Sequence, residues 1–384
     1  MMNNEVIVII KNKLISVDTV IPILIELKEK YSISSLVLVN DELSHNKINE
    51  NVVIRDAINY AGKEVYIGWQ GSVIIQKIIK LFWLFKLTVR LLVGSKVLHF
   101  GIFDVFPYKV LGKIFNKNIF MLQTDCFAHS YAKYNKRLGK KEIKLTPPIS
   151  KNIVAFNKAM PQLSVLDSSY NVFKFGSTRT REIWVNYVNT RSEDYFNKYH
   201  KNVDFSNGCI VFILGAFSTI IEMRIPDKSL TNLFRKTIET LDDIKGDIPV
   251  LLKPHPETDL HVVDSEINEK NGFHITHLHP SVLATKAKVF ICNMYSTTMA
   301  DANYMGVKTV EYSDYNFNLL EMSKGKSLGY EYIDEFINND QVVFKREVRE
   351  ILSNMPNNQL QSKIPVIDNF DDNSDEFFFQ LSKS

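Results

Sequence analysis

Two short runs in the second half of the chain carry the residue types best suited to chemistry. In the first, Val250-Leu-Leu-Lys253-Pro254-His255-Pro256-Glu-Thr-Asp259, an apolar run ends and a cation and an imidazole follow at once. The two prolines fix φ and remove backbone donors, so the histidine is offered from a stiffened turn. Lysine and histidine in that place suit the departure of a phosphate: the imidazole hydrogen-bonds or protonates it and the ammonium adds charge. In the second run, Lys288-Val-Phe-Ile-Cys-Asn-Met-Tyr-Ser296-Thr297-Thr298, another apolar stretch ends in three consecutive hydroxyl residues, and a segment of small residues with helical spacing follows. Hydroxyls and unpaired N–H groups where a helix begins hold anions, although a Ser/Thr helix cap has the same composition.

Those runs need elements to position them. Val6 to Ile10, Ser35 to Val39, Glu64 to Gly68, Val97 to Phe100 and Asn118 to Leu122 read as short strands, each followed by a stretch of helical length. Residues 148–208 are polar and irregular and read as the end of a first domain with a linker. The alternation restarts with strands at Cys209 to Leu214, Pro249 to Leu252, Lys288 to Cys292 and Val307 to Tyr312, and helices at Leu230 to Ile244 and Thr297 to Met305. Strands alternating with helices imply an α/β fold built on parallel sheets. The expected plan is two Rossmann-like domains facing a central cleft, where ligands meet the carboxyl ends of the strands. The expected boundaries are 1–200 for an acceptor-binding domain, 205–345 for a nucleotide-sugar domain, and 346–384 for a C-terminal helix and polar tail. The tail acids Asp371, Asp372, Asp375 and Glu376 read as a solvated end rather than a metal site.

Lys253-Pro254-His255-Pro256 followed by Ser296-Thr297-Thr298 resembles the His-Pro and Ser-Ser/Thr motifs of bacterial sialyltransferases, over roughly residues 208–315. The resemblance implies the GT-B glycosyltransferase fold, a CMP-linked donor whose phosphate is held by Lys253, His255, Pro256, Ser296, Thr297 and Thr298, and no metal or other cofactor. Some members bind the donor ribose through a carboxylate just before a Val-Leu pair; here Ser281 precedes Val282-Leu283. An inverting transfer also needs a base for the acceptor hydroxyl. Asp125, beyond the strand ending at Leu122, matches the central acid of the family's base motif; Asp104 and His129 are the alternatives. The implied activity is metal-independent, inverting transfer of a nonulosonic (sialic-acid-like) or Kdo sugar from a CMP-sugar to a bacterial surface glycan or glycolipid. A CDP-polyol phosphotransferase using His129, a nucleotide-sugar 2-epimerase and a catalytically inactive scaffold are the competing readings.

Composition narrows the field further. Of the 384 residues 45% are hydrophobic and 23% charged, which excludes wholesale disorder. The net charge of +3 argues against a nucleic-acid partner. Three cysteines without C-x-x-C spacing argue against a disulfide framework and a zinc site. No P-loop, G-x-G-x-x-G or G-x-S-x-G is present. With no signal-peptide pattern at the start, a cytoplasmic protein is expected, peripheral at the inner face of the plasma membrane.

The charge is unevenly spread. Residues 71–147 hold fourteen lysines and arginines against three acids, a net +11, leaving 32 cations and 40 acids, −8, elsewhere. Within that segment, residues 72–94 form an amphipathic pattern. Ile78, Leu81, Phe82, Phe85, Val89 and Leu92 share one arc and read as the core face. Lys77, Lys80, Lys86 and Arg90 share the other with Ile79, Trp83, Leu84, Leu87 and Leu91, a mixture suited to an anionic membrane surface. A helix buried on both sides, with its cations reaching outward, is the alternative.

Overall fold

The structure is a computed structural model. It describes residues 5–10, 14–68, 73–125, 127, 145–158, 160–215, 227–255, 258–354 and 372–383. These fall into two compact units. One holds the described residues up to 127, those from 145 to 186, and the terminal stretch 372–383; the other holds 187–354.

The first unit is a seven-stranded sheet. Its strands are β1 (Glu5–Ile10), β2 (Ser34–Val39), β3 (Gly62–Tyr66), β4 (Val97–His99), β5 (Ile119–Leu122), β6 (Asn152–Ala155) and β7 (Asn171–Lys174), in the order β3-β2-β1-β4-β5-β6-β7, with every pairing parallel. The helices are α1 (Leu14–Tyr31), α2 (Glu42–Glu50), α3 (Val52–Ala61), α4 (Val73–Leu92) and α5 (Tyr108–Ile114). Helix α6 (Glu182–Tyr199) begins in this unit and ends in the other. Parallel strands covered on both faces need unbroken apolar runs, and β1 is buried along nearly its whole length.

The second unit repeats the plan with β8 (Cys209–Ile213), β9 (Val250–Lys253), β10 (Phe273–Ile275), β11 (Ala287–Cys292), β12 (Lys308–Ser313) and β13 (Glu335–Asn338), in the parallel order β10-β9-β8-β11-β12-β13. Its helices are α7 (Asp227–Ile244), α8 (Leu260–Ile267), α9 (Pro280–Ala284), α10 (Thr298–Tyr304), α11 (Phe317–Ser323) and α12 (Gln341–Ser353). Phe212 stacks on Phe234 of α7, and Tyr312 lies flat on Phe344 of α12 with centroids 4.4 Å apart. In both sheets the winding reverses beside the first strand, between β1 and β4 and between β8 and β11. Open α/β sheets bind ligands at the carboxyl ends flanking that reversal.

Every strand expected from the sequence is present within a few residues, and the segment read as irregular holds more order than its composition announced. Residues 148–208 supply β6, β7 and α6, and the division between units falls inside α6 rather than after it. The polar tail contains α13 (Ser374–Ser382), whose Phe377, Phe378 and Leu381 are buried in the first unit. Phe377 meets Phe120, Phe173 and Phe175 at centroid distances of 5.4 to 5.7 Å. Arg181 grips buried Glu26 with two N–H···O bonds of 2.7 and 3.0 Å, donates to Asp372 at 3.2 Å, and lies over Phe175. The acids at the surface of this segment hid an aromatic anchor spaced as one helical face.

Helix α4 faces the opposite way from the sequence expectation. Leu87 and Leu91 are buried, and Trp83 and Leu84 pack with them against Ile7, Ile9, Leu36 and Leu38 of the sheet. The arc read as the core face, Ile78, Leu81, Phe82, Phe85, Val89 and Leu92, is exposed, Leu81 and Phe85 each at 67%. Both arcs are apolar enough to be buried; what decides is that the cations can flank the inner arc. Lys86 sits over the Phe82 and Trp83 rings at 4.7 and 4.8 Å, and Arg90 pairs with Glu5 of β1 at 3.1 Å.

Truncating Phe377 to alanine opens a cavity among three other rings and is expected to cost ~3–5 kcal/mol in urea unfolding of the full chain. A loss below ~1 kcal/mol would show that α13 is not part of the core.

Candidate active site

Strand β9 ends at Lys253, level with Ile213 of β8. The turn that follows is closed by Thr258, a residue the sequence reading did not single out. The Thr258 hydroxyl accepts from the His255 N–H at 2.8 Å and donates to the Gly215 carbonyl at 2.9 Å, and the Thr258 N–H returns to the His255 carbonyl at 2.9 Å. The Leu214 N–H donates to the Lys253 carbonyl at 2.9 Å. The turns after β8 and β9 are thereby laced together, with the His255 side chain exposed and Lys253 half-buried. Pro256 lies outside the described residues.

One strand beyond β8, β11 delivers the hydroxyl loop to the same carboxyl edge. Buried Asn293 begins it, donating to the Tyr312 carbonyl at 3.0 Å and Thr237 Oγ1 at 2.8 Å, while its own carbonyl accepts from Ser313 Oγ at 2.7 Å. Ser296, Thr297 and Thr298 are half-buried, and Thr298 Oγ1 donates to Ser296 Oγ at 2.9 Å. Thr297 already has helical backbone angles and makes no side-chain cap bond, and the Thr298 N–H reaches Ser296 Oγ at 3.5 Å, so Ser296 caps α10 while the Thr297 side chain is not used for capping. Only β8 separates the strands of the two motifs, so their ends stand ~10 Å apart. Ser281 is buried in α9, and its hydroxyl donates at 3.0 Å to Asp301 of α10, three residues after Thr298, tying two helices. A cavity of about 280 Å³ in this unit, with Arg235, Lys236, Glu239 and Asp314 in its lining, borders the β12 and β13 side of the edge, apart from the β9 turn.

Beneath the hydroxyl loop sits Glu311, the group that sequence reading missed. It is fully buried in β12, and its Oε1 accepts from the Tyr295 N–H at 3.2 Å and the Tyr315 hydroxyl at 2.6 Å, while Oε2 accepts from Ser327. Burial outweighs these donors and pushes its pKa up to about 7. The signal was an acid inside an otherwise buried strand, Val310-Glu311-Tyr312.

In the first unit, half-buried Asp125 lies beyond β5, where its Oδ1 accepts from the Phe127 N–H at 3.1 Å. This loop is held on both sides. Thr19 of α1 donates to the Thr124 carbonyl at 2.9 Å, and Gln123 accepts from the N–H groups of Phe156 and Asn157. Buried Arg179, 3.8 Å from Asp18 of α1, lies over the Phe127 ring at 4.6 Å. Asp104 is exposed and tethers a loop by accepting from the Ile149 N–H at 2.9 Å. His129 and Cys126 lie outside the described residues. His99, at the end of β4, accepts from the Gly101 N–H through Nδ1 and so faces Ser150 Oγ, at 2.7 Å, with a protonated Nε2; burial drives its pKa down to about 3 and keeps it neutral. Among the described residues no three His, Cys, Asp or Glu side chains gather as metal ligands.

Glu311 makes stability depend on pH. The unfolded glutamate titrates near its ordinary value, about 4.3, and the folded one holds its proton up to about 7. Between those values the folded chain binds more protons, so the stabilisation present below the lower value is lost as pH rises through the upper one. Replacing Glu311 with glutamine is expected to flatten that decline, measured by urea unfolding at about pH 5 and about pH 8. Equal slopes in both proteins would place the proton elsewhere.

No known family profile matches the sequence, and no curated protein matches it. Solved structures do. The UDP-GlcNAc 2-epimerase from Neisseria meningitidis, solved with UDP-GlcNAc bound, superposes with a TM-score of 0.56 at 13% identity, over 99% of this chain and 100% of that one. The UDP-N-acetylglucosamine 2-epimerase from Rickettsia bellii superposes with a TM-score of 0.53 at 12% identity, over 99% and 94%. At such identity the likeness is one of fold: two parallel Rossmann-like sheets with helices, the α/β architecture of the GT-B type.

Proposed function

We propose that this protein is a nucleotide-sugar-dependent glycosyltransferase that moves a nonulosonic or Kdo sugar from a CMP-linked donor to a glycan or glycolipid acceptor of the bacterial surface. The observation that carries the reading is the delivery of Lys253, His255 and the Ser296–Thr298 hydroxyls to one carboxyl edge, across β8, at the reversal of the second sheet. A phosphate leaving a sugar develops charge as the glycosidic bond breaks. His255 would protonate or hydrogen-bond it, Lys253 would add charge, and the hydroxyls would donate to its oxygens. Pro256 follows His255 in the sequence. Asp125 would take the proton of the attacking acceptor hydroxyl, so that the oxygen bonds to the anomeric carbon as the CMP phosphate departs and the configuration inverts. A sugar monophosphate of this kind leaves without a resident metal in this scheme. At the position where some members of the resembled family bind the ribose, the Ser281 hydroxyl donates to Asp301 and would meet a ribose hydroxyl only as an acceptor.

A second reading, a 2-epimerase acting on a UDP-sugar, is favoured by the full-length likeness to two enzymes of that name. It needs no acceptor, which separates the two. In a thermal-shift panel of CMP, CDP, UDP and GDP, with and without EDTA, CMP is expected to stabilise most. Stabilisation by UDP alone, with sugar isomerised in the absence of any acceptor, would replace the transferase reading. Removing a positioned phosphate partner typically costs ~10²–10³ in rate, so His255→Ala is expected to lose that much donor turnover. Retention within a few-fold of the wild-type rate would overturn the assignment of His255.

A further inference from the structure

The outward arc of α4 is the largest feature that the donor and acceptor chemistry leaves unexplained. Leu81 and Phe85 are 67% exposed, Leu92 is 68% exposed, and Ile78, just before Leu81 on the same arc, is 60% exposed. A monomeric soluble protein rarely shows such a contiguous apolar face. Helix α5 lies on the same face of the sheet, since its Leu111 joins Leu87 and Leu91 in one core cluster, and it exposes Val110 and Ile114; Phe106, just before it, is 80% exposed.

The charge around the patch identifies what covers it. From Val73 to Lys117 eight lysines and arginines face one acid, Asp104. Lys77, Lys86, Lys109, Lys113 and Lys117 are exposed, and neither α4 nor α5 contains an acid. A second copy of this chain meeting the patch by two-fold symmetry would set like charges against like charges. An anionic bilayer answers both features, with headgroup phosphates for the lysines and an acyl boundary for the apolar arc. A groove of about 290 Å³ opens between α4 and strands β1–β3, its apolar wall made by Leu36, Leu38 and Leu87 and its charged boundary by Lys63, Lys86 and Arg90. Apolar depth beside a cationic rim is the shape of an anionic amphiphile. No described helix is long and apolar enough to cross a membrane, so the contact would lie in the plane of the interface.

We infer that the α4–α5 face of the first unit seats the protein on an anionic phospholipid surface, apolar arc inward. The orientation is the reverse of the one expected from the sequence: the arc free of cations enters the lipid and the cations flank it. This docking does not depend on which nucleotide the second unit takes.

The test is flotation of the full chain with vesicles of phosphatidylcholine alone or of phosphatidylcholine with phosphatidylglycerol, at low and high salt. Binding is expected only where phosphatidylglycerol is present, weakened by salt. Each lysine of the set Lys77, Lys109 and Lys113 changed to glutamine should lower partitioning about fivefold. The triple change Leu81→Ser, Phe85→Ser and Leu92→Ser alters only exposed positions and should abolish binding while leaving unfolding by urea unchanged. A tryptophan placed by Phe85→Trp should shift its emission to the blue on anionic vesicles and be quenched by brominated acyl chains. No flotation with either vesicle at low salt would overturn the proposal. So would a dimer in sedimentation that the triple change dissolves, because a second copy would then be the occupant.

Discussion

A parallel sheet exposes apolar side chains on both faces and must be covered on both. Most of this molecule follows from meeting that demand twice. Right-handed crossovers carry α1 to α3 on one side of the first sheet, and the reversal between β1 and β4 sends α4 and α5 to the other. The same demand explains the return of the chain end to the first unit, where α13 sets Phe377 against Phe120 and Phe173 beside β5 and β7. Arg181 then binds three parts of the unit at once through Glu26, Asp372 and the Phe175 ring. Covering the sheet also leaves a remainder. Once α4 has used Leu87 and Leu91 to close one face, its other apolar arc stays exposed among the described residues.

At the second sheet the reversal has a chemical consequence. It separates β9 from β11 by one strand and leaves their carboxyl ends on the same edge, so a Lys/His turn and a hydroxyl loop converge without being neighbours in sequence. Both loops are braced by backbone-directed hydrogen bonds, Thr258 under the first and Asn293 and Glu311 under the second. Bracing of this kind limits the freedom of the side chains offered to a ligand, and reduced freedom is what positions reacting groups. Glu311 is costly to bury as an anion, and its raised pKa shows that the donors around it only partly offset that cost.

Much of this was legible in the residues. Continuous apolar runs such as Cys209 to Ile213 announce strands covered on both faces, and the stops at Lys253 and Asn293 announce their carboxyl ends. The α/β class, the doubling of the fold and the placement of both motifs on strand ends needed only periodicity. Strands β6 and β7 were hidden because Asn152, Asn171 and Lys174 interrupt the apolar pattern; Asn152 is buried all the same, with its amide donating to the carbonyls of Asn116, Lys117 and Ile119. Polar residues satisfied this way look like loop residues until their partners are known.

The sequence by itself determined the strands β1 to β5, β8, β9, β11 and β12, and which reactive side chains stand at their ends, because these depend on neighbours in the chain. The tertiary structure alone decided which arc of α4 meets the sheet, that the Ser281 hydroxyl donates to Asp301, and that Glu311 lies under the hydroxyl loop. Each of these is a choice between partners distant in sequence. Periodicity reports that a helix has two apolar arcs; only the Glu5 carboxylate beside Arg90 and the surface offered by Leu36 and Leu38 select the one that is buried.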